Sequence, residues 1–132
     1  MKYLAIKLIV VFLLISSAFA GAFIDYFHVR SFGEDSVIEW KTSQEFNVNK
    51  FVIERRGPQT QFAEIKTIEP KGDNSFYSYT DKSIYKTNDY VFIYRLKIVD
   101  NNQQVSYSGE ASISLSISGV KRTWGSIKAM FR

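Results

Sequence analysis

Three carboxylates, Glu54, Asp81 and Asp100, are the candidates for paired acid–base work, in which one carboxyl group gives a proton while the other takes one. Glu54 is followed by Arg55 and Arg56 on an expected strand, and Asp81 and Asp100 fall at strand ends, so three separate structural carboxylates are expected. Asp100-Asn101-Asn102 offers the hard oxygen ligands that calcium takes, but Asx residues also mark a tight hairpin because they tolerate positive φ. His28 is the only histidine and cysteine is absent, which removes disulfides, cysteine zinc sites, thiol nucleophiles and multi-histidine metal centres. A lone histidine on the outward face of the first strand is expected to be an ordinary surface residue. Serine is abundant, yet no Gly-x-Ser-x-Gly elbow occurs, and one strand-face histidine is a poor general base. The reading is of a chain that is not an enzyme, with no catalytic residue, metal or cofactor assigned. Lys71-Gly72-Asp73 has the form of an adhesive tripeptide, although turn formation alone accounts for it.

Aromatic side chains, 16% of the chain, are a second source of binding chemistry. Alternation in Phe76–Tyr79 puts Phe76 on one face and Tyr77 with Tyr79 on the other, so one set packs while the other is available to sugar rings. Exposed, coplanar rings among Tyr77, Tyr79 and Tyr85 would favour a carbohydrate module, and their burial would remove that case. A third candidate is the tail, where Val120, Trp124, Ile127 and Phe131 recur at helical spacing among Lys121, Arg122, Lys128 and Arg132. Gly125 costs such a helix about 1 kcal/mol relative to alanine, and so short a helix must dock to persist. The candidate partner-binding residues are therefore Lys121, Arg122, Trp124, Ile127, Lys128, Phe131 and Arg132. Their partner is the chain's own sandwich, an envelope protein or a membrane surface.

These groups must be held by strands. In Ala111–Ser118 every odd position is apolar and every even one is serine, the period of a half-buried strand. The same alternation sets Phe23, Asp25, Phe27 and Val29 against Ile24, Tyr26, His28 and Arg30, with Phe23, Phe27 and Val29 taken as inward. It recurs in 37–41, 51–55, 62–68, 76–80 and 90–99, between turn residues at 33–35, 57–58, 72–74, 87–89 and 101–102. The predicted core is Ile38, Trp40, Phe51, Ile53, Phe92, Tyr94 and Leu96. With 45% hydrophobic residues in 132 and no convincing helix in the body, the expectation is one all-β sandwich of about seven strands.

Ile38-Glu39-Trp40-Lys41-Thr42-Ser43-Gln44-Glu45, Lys50-Phe51-Val52-Ile53-Glu54-Arg55, Phe62-Ala63-Glu64-Ile65, Tyr77-Ser78-Tyr79-Thr80-Asp81, Tyr94-Arg95-Leu96-Lys97-Ile98-Val99-Asp100 and Val105-Ser106-Tyr107-Ser108, in this order, carry a family resemblance. The chain resembles the fibronectin type III-like domains of secreted and surface proteins of Gram-negative bacteria, often found before a C-terminal sorting domain. The resemblance implies an immunoglobulin-like sandwich without a catalytic role and a tryptophan, here Trp40, in the second strand. The position aligned with the family's corner tyrosine, two before Tyr94, is Phe92.

Upstream, Lys2 and Lys7 flank an apolar run that ends in Ala18-Phe19-Ala20, the form of a signal peptide cleaved after Ala20. The expected division is thus a signal peptide over 1–20, a sandwich over 21–118 and a basic aromatic tail over 119–132, exported through the Sec pathway to periplasm, surface or medium. Loss of Lys2 and Lys7 reduces 17 basic residues to 15 against 13 acidic ones, and four of the 15 lie in the last twelve positions. The body is slightly acidic, which with no helix-turn-helix or RNA-recognition motif argues against nucleic acid. The functional expectation is a non-catalytic secreted or envelope-associated interaction module, with a small carbohydrate-binding module as the alternative.

Overall fold

The computed structural model describes residues 21–84 and 90–115. Their eight strands are β1 (Gly21–Phe32), β2 (Asp35–Phe46), β3 (Val48–Arg56), β4 (Ala63–Ile68), β5 (Phe76–Asp81), β6 (Val91–Asp100), β7 (Val105–Tyr107) and β8 (Ala111–Ser114). They form an all-β sandwich: a three-stranded sheet in the order β1-β2-β5 faces a five-stranded sheet in the order β4-β3-β6-β7, with β8 also on β6. The count exceeds the expected seven because the final edge is broken. Tyr107 pairs with Lys97 and Ala111 with Tyr94, which leaves three residues, Ser108 to Glu110, opposite two. That extra residue is a bulge, and it reverses which side chains face inward. Ser108 bridges the break, its amide donating to Leu96 O and its hydroxyl accepting from Leu96 N, both at 2.8 Å.

The inward stripes of β2, β3 and β6 follow simple alternation, so Ile38, Trp40, Phe51, Ile53, Phe92, Tyr94, Leu96 and Ile98 are all buried. Three rings clamp the sheets together. Trp40 stacks on Tyr77 with centroids 4.8 Å apart, and Phe51 from the opposite sheet meets both edge-on, at 6.0 and 5.3 Å.

The first strand departs from alternation. Register shifts on either side of Ile24 leave Ser43 and Asp25 as extra residues. Phe23, taken as inward from the sequence, is consequently exposed, while Ala22 and Ile24 pack on the core; beyond the shift Phe27 and Val29 point inward and Tyr26, His28 and Arg30 outward.

Turn chemistry fixes the connections. Gly33, at φ 63°, closes the β1–β2 hairpin, and Asn47, at φ 58°, carries the chain from one sheet to the other. At the β6–β7 turn the positive φ belongs to Gln103, at 65°, rather than to an Asx residue. Asp100 organises this turn by accepting from the Asn102 and Gln104 amides at 2.8 Å. Asn101 is pinned to Asn47 through its amide N–H and its side chain.

Candidate functional site

The three carboxylates lie on different strands, each with its own partners. Asp81, 1% exposed, accepts from the Ser83 amide and hydroxyl on Oδ1 and from Arg55 and the Tyr94 hydroxyl on Oδ2. Those four donors use its full acceptor capacity. Burial alone would raise its pKa, but the two Ser83 hydrogen bonds, the Arg55 charge and the Tyr94 hydroxyl outweigh it and hold the carboxyl below its usual range. The same burial, with the Asp81 charge beside it, lifts the Tyr94 phenol above its ordinary value. Tyr94 itself therefore supplies a hydroxyl tie between the sheets. Glu54 accepts from Arg95 at 2.6 Å on the outer face of the five-stranded sheet, and Asp100 holds the β6–β7 turn. The Asn101 side-chain oxygen, one of the candidate calcium ligands, accepts from Asn49 at 3.2 Å.

The Lys71-Gly72-Asp73 tripeptide is folded against the molecule by its own polar groups. The Asp73 carboxylate accepts from the Glu45 amide, Gly72 N–H donates to Glu45, and the Lys71 ammonium donates to Phe76 O and lies 4.8 Å from the Tyr77 ring centre. Glu45 also accepts from Thr42 and from the Tyr77 hydroxyl. Burial, reinforced by the Glu45 carboxylate, pushes the Tyr77 phenol up to about 12. A folded pKa above the unfolded value of about 10 means that this stabilisation is complete below pH ~10 and is lost as pH rises toward 12. Thermal melts between pH 9 and about 12 should show a falling melting temperature that Tyr77→Phe flattens; parallel profiles would mean that another group controls the alkaline limb.

The two outer faces differ in kind. On the five-stranded sheet, Arg95 lies 3.9 Å from the ring centres of both Phe62 and Tyr107, Lys97 meets Glu64 at 3.3 Å, and Arg56 meets Glu110 at 3.8 Å. Arg95, Lys97 and Arg56 thus already have partners there.

The three-stranded sheet is the candidate binding face. Of eight large apolar side chains exposed among the described residues, five lie on it: Phe23, Tyr26, Phe32, Phe46 and Phe76. Phe32, Phe46 and Phe23 are 60–68% exposed and Phe76 50%. Register aligns Tyr26, Lys41 and Phe76 in one row across β1, β2 and β5, with His28, Glu39 and Ser78 in the next. Tyr26 and His28 are near-parallel, 5.0 Å between ring centres. Glu39 accepts from Arg30 and lies 3.2 Å from His28; the Arg30 hydrogen bonds outweigh partial desolvation and lower its pKa.

The rings singled out in the sequence for sugar stacking are elsewhere. Tyr77 is buried against Trp40 and Tyr79 is partly buried on the core, so the face they share is the interior, while Tyr85 lies outside the described residues. Phe76, the odd residue of that strand, belongs to the outer face. Tyr26 is outward, as its alternation with Phe27 and Val29 predicts, whereas Phe23 had no sequence signal for this face because its facing depends on the β1 irregularity. The export segment over 1–20 and the tail residues Lys121, Arg122, Trp124, Ile127, Lys128, Phe131 and Arg132 also lie outside the described residues.

No family model matches the chain, and no curated protein matches it. Among solved structures, two of the pectate lyase Pel3 from Pectobacterium carotovorum align over 68% of this chain at 18% identity, with TM-scores of 0.51 and 0.52. The β-1,2-glucanase from Parabacteroides distasonis aligns over 74% at 12% identity and a TM-score of 0.51. The chain matches 26% of the pectate lyase and 14% of the glucanase. At these identities the likeness is one of fold.

Proposed function

We propose that the chain is a non-catalytic, fibronectin type III-like module that binds carbohydrate through the outer face of the β1-β2-β5 sheet. The observation that carries this reading is the aromatic face itself, with Tyr26 and Phe76 flanking Lys41 in one cross-strand row. Exposed rings stack on the C–H faces of sugars, and the neighbouring polar side chains have donors and acceptors for hydroxyl groups. The fold neighbours support it, since each similar region is a fraction of a chain named as a carbohydrate-cleaving enzyme. The strand order and the tryptophan on β2 support the type III reading. Export through residues 1–20 would bring the module to extracellular polysaccharide.

The exported protein should be retained on at least one insoluble polysaccharide in a pull-down panel. The double variant Tyr26→Ala/Phe76→Ala should lose about tenfold or more in affinity, ~1.4 kcal/mol, with an unchanged melting temperature because neither ring is in the core. Failure of the folded protein to bind any of the panel would overturn the reading.

A further inference from the structure

The charges on the aromatic face carry the reading further. Arg30 donates to both oxygens of Glu39 at 3.3 Å, His28 shares the same carboxylate at 3.2 Å, and Lys41 faces Asp25 at 3.9 Å. Lys41 and His28 in these two rows, and Arg30 in the next, thus each have a carboxylate beside them, and Asp35 adds a further negative charge on the β2 side of the hairpin. A uronic acid chain is held by unpaired arginine or lysine, preferably in bidentate fashion. Here it would have to displace Glu39 or Asp25 and would meet their repulsion. Hydroxyl groups both give and accept hydrogen bonds, and suit a surface on which Lys41, Glu39, Ser78 and Thr80 alternate.

Spacing adds a second constraint. Tyr26 and Phe76 stand on strands either side of Lys41, two inter-strand spacings or about 10 Å apart. That distance matches the disaccharide repeat of an extended β-linked chain, in which every second ring turns the same face to the protein.

We infer that the face takes a neutral, extended β-linked glycan laid across the strands over Tyr26, Lys41 and Phe76. This rests on the carbohydrate reading above and names its ligand class. The aromatic row supplies two stacking positions for like-facing rings, and the paired charges between them supply hydroxyl contacts without net charge.

Titration calorimetry of the exported protein with cellohexaose, maltohexaose and polygalacturonate tests it, each at low and high salt. Cellohexaose should bind with little salt dependence, and the other two about tenfold or more weaker. Tyr26→Ala and Phe76→Ala should each weaken cellohexaose about tenfold, whereas Tyr107→Ala, an exposed ring on β7 of the other sheet, should not. Glu39→Gln, which frees Arg30, should raise polygalacturonate affinity in low salt. Tighter binding of polygalacturonate by the unaltered protein would overturn the neutral class, and equal binding of maltohexaose the extended linkage; either would leave the carbohydrate reading standing. Binding of no saccharide, or a dimer in sedimentation that Tyr26→Ala/Phe76→Ala dissolves, would overturn both.

Discussion

Trp40→Ala should cost about 3–5 kcal/mol and leave the chain barely folded or insoluble. The indole is wholly buried, stacks on Tyr77 within the same sheet and meets Phe51 from the other, so its removal leaves a cavity bordered by both sheets. Part of the loss is the transfer of apolar area and part is the void, since two rings on rigid strands cannot collapse into it. Typical domains are stable by only about 5–15 kcal/mol, so the loss takes a large share of that margin and nearly all of it at the lower end. Urea denaturation with fluorescence and circular dichroism reads the effect. A midpoint close to that of the unaltered protein would show that the three-ring clamp does not hold the sheets together.

Arg55→Ala is expected to cost nearly as much, about 3–5 kcal/mol at neutral pH, through electrostatics rather than volume. It leaves the buried Asp81 carboxylate without its cation, with only Ser83 and Tyr94 as donors. The pH profile separates this from a packing loss. The folded pKa of Asp81 lies below its unfolded value of about 3.9, so the stabilisation is present above pH ~4 and is lost as pH falls through the folded pKa. Without Arg55 the folded pKa rises and the acid limb of the stability curve moves to higher pH. A variant whose melting temperature falls equally at every pH would indicate packing against Phe92, over which the guanidinium carbon lies at 5.5 Å.

What the sequence discloses about this fold is the period of its strands and, where the stripe is uninterrupted, their phase. β2, β3 and β6 have one apolar face each, and side chains such as Ile38, Trp40, Phe51 and Leu96 can be assigned from alternation alone. Phase is lost where a residue is inserted: Phe23 and Ile24 exchange faces because Ser43 and Asp25 are extra in the β1–β2 ladder, and no local pattern marks such a bulge. β7 is three residues long with all three exposed, so it has no stripe to detect. On β5 both faces carry aromatics, and only the position of β2 decides that Tyr77 is interior and Phe76 outward. The proposed binding face escapes the sequence for a related reason: its row joins residues 26, 41 and 76, which only sheet register brings together. The Asp81 network likewise spans Arg55 and Tyr94 from the facing sheet, and nothing near Asp81 announces either.

The breaks in the ladder also bear on how the protein behaves when concentrated. An open sandwich presents four border strands whose unpaired amides and carbonyls can recruit another chain and seed fibrils. Here β4 and β5 are six residues each, β7 and β8 are three and four and are separated by a bulge, and β1, the one long border, is irregular around Asp25. None gives a neighbouring molecule a long, regular run on which to add a strand. The Ser108–Glu110 bulge should therefore delay aggregation, and deleting Gly109 to restore an even β7–β8 ladder should shorten the lag before thioflavin-positive material forms, even if the melting temperature rises.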